Sequence, residues 1–129
     1  MIALHKPAAL RSILTAAALS LAALPAMAGT GTFKGLSNHI TTGGVTVEER
    51  DGGYVIVLHG DFSFDGAPDP RVGFGNGGKF VDGTDFEVLK SNSGEQVYKV
   101  PAGINASQFS DVFIWCRKFA VPLGVAALK

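Results

Sequence analysis

One cysteine, Cys116, occurs in the 129 residues of the chain. With no second cysteine there is no internal disulfide to staple the fold, and burial must stabilise it alone. Dithiol exchange needs a Cys-x-x-Cys pair, and covalent c-type haem needs a following histidine as well. Cys116-Arg-Lys-Phe119 supplies neither, so both are excluded. Charge of one sign is also missing: 11 Lys and Arg stand against 11 Asp and Glu. No basic run of the kind that binds phosphate backbones is present, which argues against nucleic acid as a partner. There is no nucleophile-elbow sequence for serine hydrolysis. Asp61, Asp65, Asp69, Asp82 and Asp85 lie among glycines without reproducing an EF-hand loop, and ordinary turn chemistry accounts for them. No internal repeat or low-complexity segment interrupts residues 29–129.

What is present begins with an export pattern. His5, Lys6 and Arg11 give a basic start, and Ser12–Leu24 is uncharged and rich in Ile, Leu and Ala. Pro25-Ala-Met-Ala28 then offers the small residues of a cleavage site before Gly29, the three-part layout of a secretory signal peptide. The apolar stretch falls short of the roughly 20 residues that span a bilayer. No later segment is long or apolar enough to span one either. The expectation is a cleaved signal peptide over 1–28, a single domain over 29–129 and a bacterial periplasmic or secreted location. Loss of Lys6 and Arg11 would leave the mature chain mildly acidic.

The mature part reads as β throughout. Short runs of Val, Ile, Phe, Thr and Tyr alternate with Gly, Asn, Asp and Pro clusters, the pattern of a sandwich or barrel. Strands are expected at Thr32–Lys34, Val45–Glu49, Tyr54–Leu58, Phe80–Val81, Phe86–Leu89 and Gln96–Val100. Arg50-Asp-Gly-Gly53 is expected to turn a hairpin, because tight turns need residues that tolerate positive φ. Asp61–Phe64 reads as a continuation of the Tyr54 strand or a short partner. Asp65–Pro70 reads as a turn or loop, Gly73–Gly78 is glycine-rich and carries no strand assignment, and a short helical turn is expected near Ala106–Phe109. Asp111–Val121 is expected to be the longest and most apolar strand. Pro122-Leu-Gly124 would then bend the chain before a terminal strand, Val125–Leu128.

Alternation on that long strand puts Val112, Ile114 and Cys116 on one face and Phe113, Trp115 and Phe119 on the other. Apolar residues on both faces imply a central strand covered on both sides. Arg117 and Lys118 follow at once, so Cys116 falls where a dry core meets a basic surface. A nearby cation favours the thiolate and burial opposes it. The sulfur has four readings on these grounds: a reactive thiol, a ligand, an intermolecular disulfide bridge, or a small core hydrophobe. As an axial haem ligand its alternatives are His39, His59 and Met27, the last of which leaves with the signal. Cys116 with His39 and His59 would also suit copper or zinc, if the fold united three residues so distant in sequence. Otherwise His39 and His59 serve as turn or strand-end histidines.

Val112-Phe-Ile-Trp-Cys-Arg-Lys-Phe-Ala-Val-Pro-Leu-Gly-Val-Ala-Ala-Leu128 resembles the C-terminal signature of the DM13 domain family. Supporting matches run in order along the chain: Gly31-Thr-Phe33, His39 with Gly44-Val-Thr-Val47, Asp61-Phe62, Gly66-Ala-Pro-Asp69, and Leu89 with Ser93-Gly-Glu-Gln-Val-Tyr98. The resemblance covers residues 31–128. It departs at Leu123, where the family usually carries an aromatic before the glycine, a change that touches local packing. The resemblance implies an extracytoplasmic β-rich module, often found beside DOMON domains. It further implies electron transfer through the cysteine, as a bare thiol or as a ligand to a group such as haem.

The combined expectation is an all-β, single-domain β-sandwich of short, mostly antiparallel strands. Its role would be that of a redox accessory centred on Cys116, with a periplasmic or membrane redox protein as partner and no turnover chemistry of its own. The alternative is a binding or adhesion module in which Cys116 is a buried core residue.

Overall fold

A computed structural model describes residue 3 and residues 27–129. Apart from Ala3, Met27 and Ala28, the expected signal segment lies outside the described residues. Strand β1 (Met27–Thr32) runs across the expected cut after Ala28.

The fold is an all-β sandwich. One sheet has the order β1-β4-β5-β10, with β4 (Gly44–Arg50), β5 (Gly53–Leu58) and β10 (Gln96–Lys99). The other has the order β2-β12-β11-β7-β8, with β2 (Lys34–Gly35), β7 (Pro70–Asn76), β8 (Lys79–Phe80), β11 (Asp111–Cys116) and β12 (Val121–Ala127). Strand β9 (Glu87–Val88) also pairs with β7, and β3 (Thr41–Thr42) pairs with β6 (Ser63–Phe64) as a small third sheet. All pairings are antiparallel. The core forms where inward residues of the two large sheets meet: Val45, Val47, Ile56, Leu58 and Tyr98 from one, and Val72, Phe74, Val112, Ile114, Cys116 and Leu123 from the other. Burial of apolar side chains is the main force holding such a pair of sheets together.

Local sequence explains much of this. The β4–β5 hairpin turns at Asp51 and Gly52, both at positive φ (50° and 77°), the type I′ geometry that matches strand twist. The short helical turn forms at Ala106–Gln108, with the Asn105 side chain accepting from the Ser107 N–H. Phe33 marks where the chain leaves one sheet for the other. Its N–H donates to the Gly43 carbonyl at 2.8 Å, and its ring meets Phe62 edge-on at 5.5 Å. The expected strand Thr32–Lys34 is therefore two strands, one in each sheet. Asp61–Phe64 contributes β6, a partner of β3 rather than a continuation of β5.

The sequence pattern leaves one further segment unassigned, and two others differ from it. The glycine-rich stretch from Gly73 belongs largely to β7, a strand flanked by β11 on one side and by β8 and β9 on the other. Glycine is required there for close approach. A Cβ on Gly73 would lie 3.0 Å from the Asp85 backbone, and one on Gly75 would overlap the Phe113 ring and the Lys79 carbonyl. Asp111–Val121 is not one strand: it ends at Cys116, turns through Arg117–Ala120 and returns as β12. None of the four turn residues is Gly, Asn, Asp or Pro, which hides the turn, and Ala120 takes the left-handed conformation at φ 50°. Pro122–Gly124 then lies inside β12 rather than bending the chain. The register slips there, with Ile114 facing Gly124 and Trp115 facing Pro122, so Leu123 is the extra residue of a bulge. Its carbonyl accepts from the Leu36 N–H at 3.0 Å and the Thr41 hydroxyl at 2.9 Å.

Candidate functional site around Cys116

Cys116 ends β11, facing Pro70 of β7 and Val121 of β12. As the alternation predicts, it shares the core face with Val112 and Ile114, and it is 1% exposed. The opposite face carries Phe113 and Trp115. Trp115 stacks on Phe80 with centroids 3.9 Å apart, and the same Phe80 meets Phe113 edge-on. Phe119 does not join them. It sits in the turn, 59% exposed, with the Lys118 ammonium 5.5 Å from its ring centre.

The cations after the cysteine are already engaged. Arg117 Nε donates to Asp85 Oδ2 at 2.8 Å and Nη2 donates to the Asp85 carbonyl at 2.6 Å. The Arg117 N–H donates to the Asp69 carbonyl at 3.1 Å. The residue after the thiol is thus tied to two separate loops, while Arg117, Lys118, Phe119 and Ala120 are all exposed. A dry sulfur lies one residue from solvent. Spacing alone did not reveal the Arg117–Asp85 pair, because 32 residues separate its members.

The two histidines have other work. His39 Nδ1 is 2.9 Å from Asp65 Oδ1, and the other Asp65 oxygen accepts from the Ile40 N–H at 3.0 Å. The Ile40 hydrogen bond first, and the His39 bond second, hold the Asp65 carboxyl below its ordinary value of 3.8. His59 Nε2 is 2.6 Å from the Thr46 hydroxyl, and its ring lies against Gly44 so closely that a Cβ there would overlap Nδ1. Among the described residues, no three His, Cys, Asp or Glu side chains converge to hold a metal ion. Cys116, His39 and His59 therefore do not assemble into one ligand set. A haem-ligating sulfur must face room for the macrocycle, whereas the Cys116 sulfur is packed among core side chains. The residues present do not fit a haem ligated by Cys116 or a Cys116–His39–His59 copper or zinc centre.

Two surface grooves lie elsewhere. One of about 500 Å³ is lined by Tyr54, Lys99, Pro101 and Ile104 among others, and one of about 430 Å³ runs past Lys34, Val125 and Lys129; Cys116 lines neither.

The fold and site define a class: a compact β-sandwich with a single enclosed cysteine at the end of a central strand. A family model described as "Electron transfer DM13" matches residues 32–128, and the chain belongs to the DM13 family. No curated protein and no solved structure matches the chain.

Proposed function

We propose that this domain is an exported redox accessory whose working group is the Cys116 thiol, kept dry at rest and reached when the β11–β12 turn opens. The carrying observation is the position of Cys116, buried yet one residue from an exposed turn, in a chain of an electron-transfer family. Strand ends beside solvent-exposed turns open locally at far lower cost than the whole domain unfolds. Ala120, held at positive φ without being glycine, adds strain to the closed turn.

The chemistry suited to one thiol is exchange in which external thiols replace a second cysteine. The Cys116 thiolate attacks a disulfide of a partner protein, forming one S–S bond as the partner's breaks and its other sulfur leaves as thiolate. A first external thiol then attacks the Cys116 sulfur and releases the partner's second thiol. A second external thiol frees Cys116 and leaves as the external disulfide. Two electrons pass from two external thiols to the partner disulfide.

The near-complete burial of Cys116 favours a second reading, a binding module in which the cysteine only fills the core. Native-state alkylation with a maleimide separates the two. Labelling far faster than global unfolding, together with trapping of a mixed disulfide, supports the thiol reading. Labelling only at the rate of global unfolding sinks it and leaves the binding module. Export is tested on the same sample by intact mass, which should correspond to a chain beginning at Gly29.

A further inference from the structure

The turn between β7 and β8 holds the only Asn-Gly pair in the chain, Asn76-Gly77. This pairing has a chemistry of its own. A deprotonated Gly77 backbone nitrogen can attack the Asn76 side-chain carbonyl, unhindered because glycine has no Cβ. An N–C bond forms, the side-chain nitrogen leaves as ammonia, and a five-membered succinimide results. Water then opens one of its two carbonyls, giving aspartate or isoaspartate. Overall one water enters and one ammonia leaves, with no oxidation.

Both reacting groups are held by one residue. The Gly77 N–H donates to Ser110 Oγ at 2.9 Å, and the Ser110 N–H donates to Asn76 Oδ1 at 2.9 Å and to the Gly75 carbonyl at 3.1 Å. The neighbouring Gly78 N–H donates to Asp111 Oδ2 at 2.7 Å, and Asp111 is only 3% exposed. Asn76 is also paired with Lys79 across the turn, whose central glycines sit at φ 58° and 81°. We propose that Asn76-Gly77 is a deamidation site that Ser110 keeps closed. The serine hydroxyl occupies the proton that must leave, and the serine N–H fixes the carbonyl that must rotate towards the nitrogen. When the clasp loosens, the change is irreversible. A carboxylate appears beside that of Asp111, and the isoaspartyl product lengthens the main chain where β7 enters its turn. Ser110 immediately precedes β11, the strand that carries Cys116.

The experiment incubates the folded protein, its urea-unfolded form, Ser110→Ala and Ser110→Thr in mildly alkaline buffer. Deamidation at Asn76 and at Asn92-Ser93 is followed by peptide mapping. Asn76 should be slow in the folded protein and fast in the unfolded one. Ser110→Ala should raise its rate by up to about tenfold, the change expected from losing one hydrogen bond. Ser110→Thr, which keeps the hydroxyl, should restore protection. Two results overturn the proposal: an unchanged Asn76 rate in Ser110→Ala, or equal acceleration at Asn76 and Asn92, which would mark general loosening instead.

Discussion

Arg117 and Asp85 are joined twice, through the carboxylate at 2.8 Å and through the main-chain carbonyl at 2.6 Å. The pair clips the residue after Cys116 to the loop that crosses β7 at Gly73. It is a partly exposed contact, so its value lies in holding the turn closed more than in global stability.

Arg117→Gln should therefore raise the rate of native-state maleimide labelling at Cys116. Loss of a charge-assisted hydrogen bond corresponds to an increase of roughly tenfold. The melting temperature should move little. An unchanged labelling rate would mean that the clip does not control access to the sulfur.

Cys116→Ser replaces a buried apolar atom with a hydroxyl in an apolar setting. It should cost about 1–3 kcal/mol in urea unfolding. Cys116→Ala, which adds no polar atom, should cost less. Equal stability of wild type and Cys116→Ser would show that the sulfur is not enclosed.

Gly75→Ala and Gly103→Ala should differ sharply. The first forces a Cβ into the Phe113 ring and the Lys79 carbonyl, while the second meets open space. Overpacking of this kind costs about 1–3 kcal/mol, and a surface change with no steric conflict stays within about 0.5 kcal/mol. Thermal unfolding of the two variants makes the comparison.

Asp65 has its folded pKa below the unfolded value of 3.8, because Ile40 and His39 favour the carboxylate. Its stabilising effect is thus present above pH 3.8 and is lost as pH falls through the lowered folded value. Asp65→Asn should flatten that part of the acid limb. The pair is exposed to solvent, so added salt should shrink the difference between the two proteins. Identical acid limbs at low salt would refute the linkage.

Ala120→Gly should stabilise the domain by about 0.5–1 kcal/mol, because glycine adopts φ 50° without the Cβ penalty. Denaturant midpoints would show it. A loss of stability would place the strain elsewhere in the turn.

Much of the architecture was legible in the chain itself. Alternating apolar runs gave the strands β4, β5 and β10, and the Asp51-Gly52 pair gave the first hairpin. The alternation of Val112, Ile114 and Cys116 against Phe113 and Trp115 gave the two-sided burial of β11. The Arg117–Ala120 turn escaped because its four residues carry no turn chemistry, and tertiary hydrogen bonds that Arg117 donates to Asp69 and Asp85 hold it in place. The glycines of β7 left that strand unassigned for the opposite reason. They look like loop residues, and only the Phe113 ring and the Asp85 backbone explain why a strand needs them.

The sequence by itself determined that Cys116 has no second cysteine to pair with, and that it lies on an apolar face beside two cations, since these follow from composition and the two-residue period of a strand. Tertiary structure alone decided that the sulfur is enclosed, that Arg117 is committed to Asp85, and that His39 and His59 bond to Asp65 and Thr46. Those are contacts between residues far apart in the chain, and local pattern carries no record of which distant partner a side chain meets.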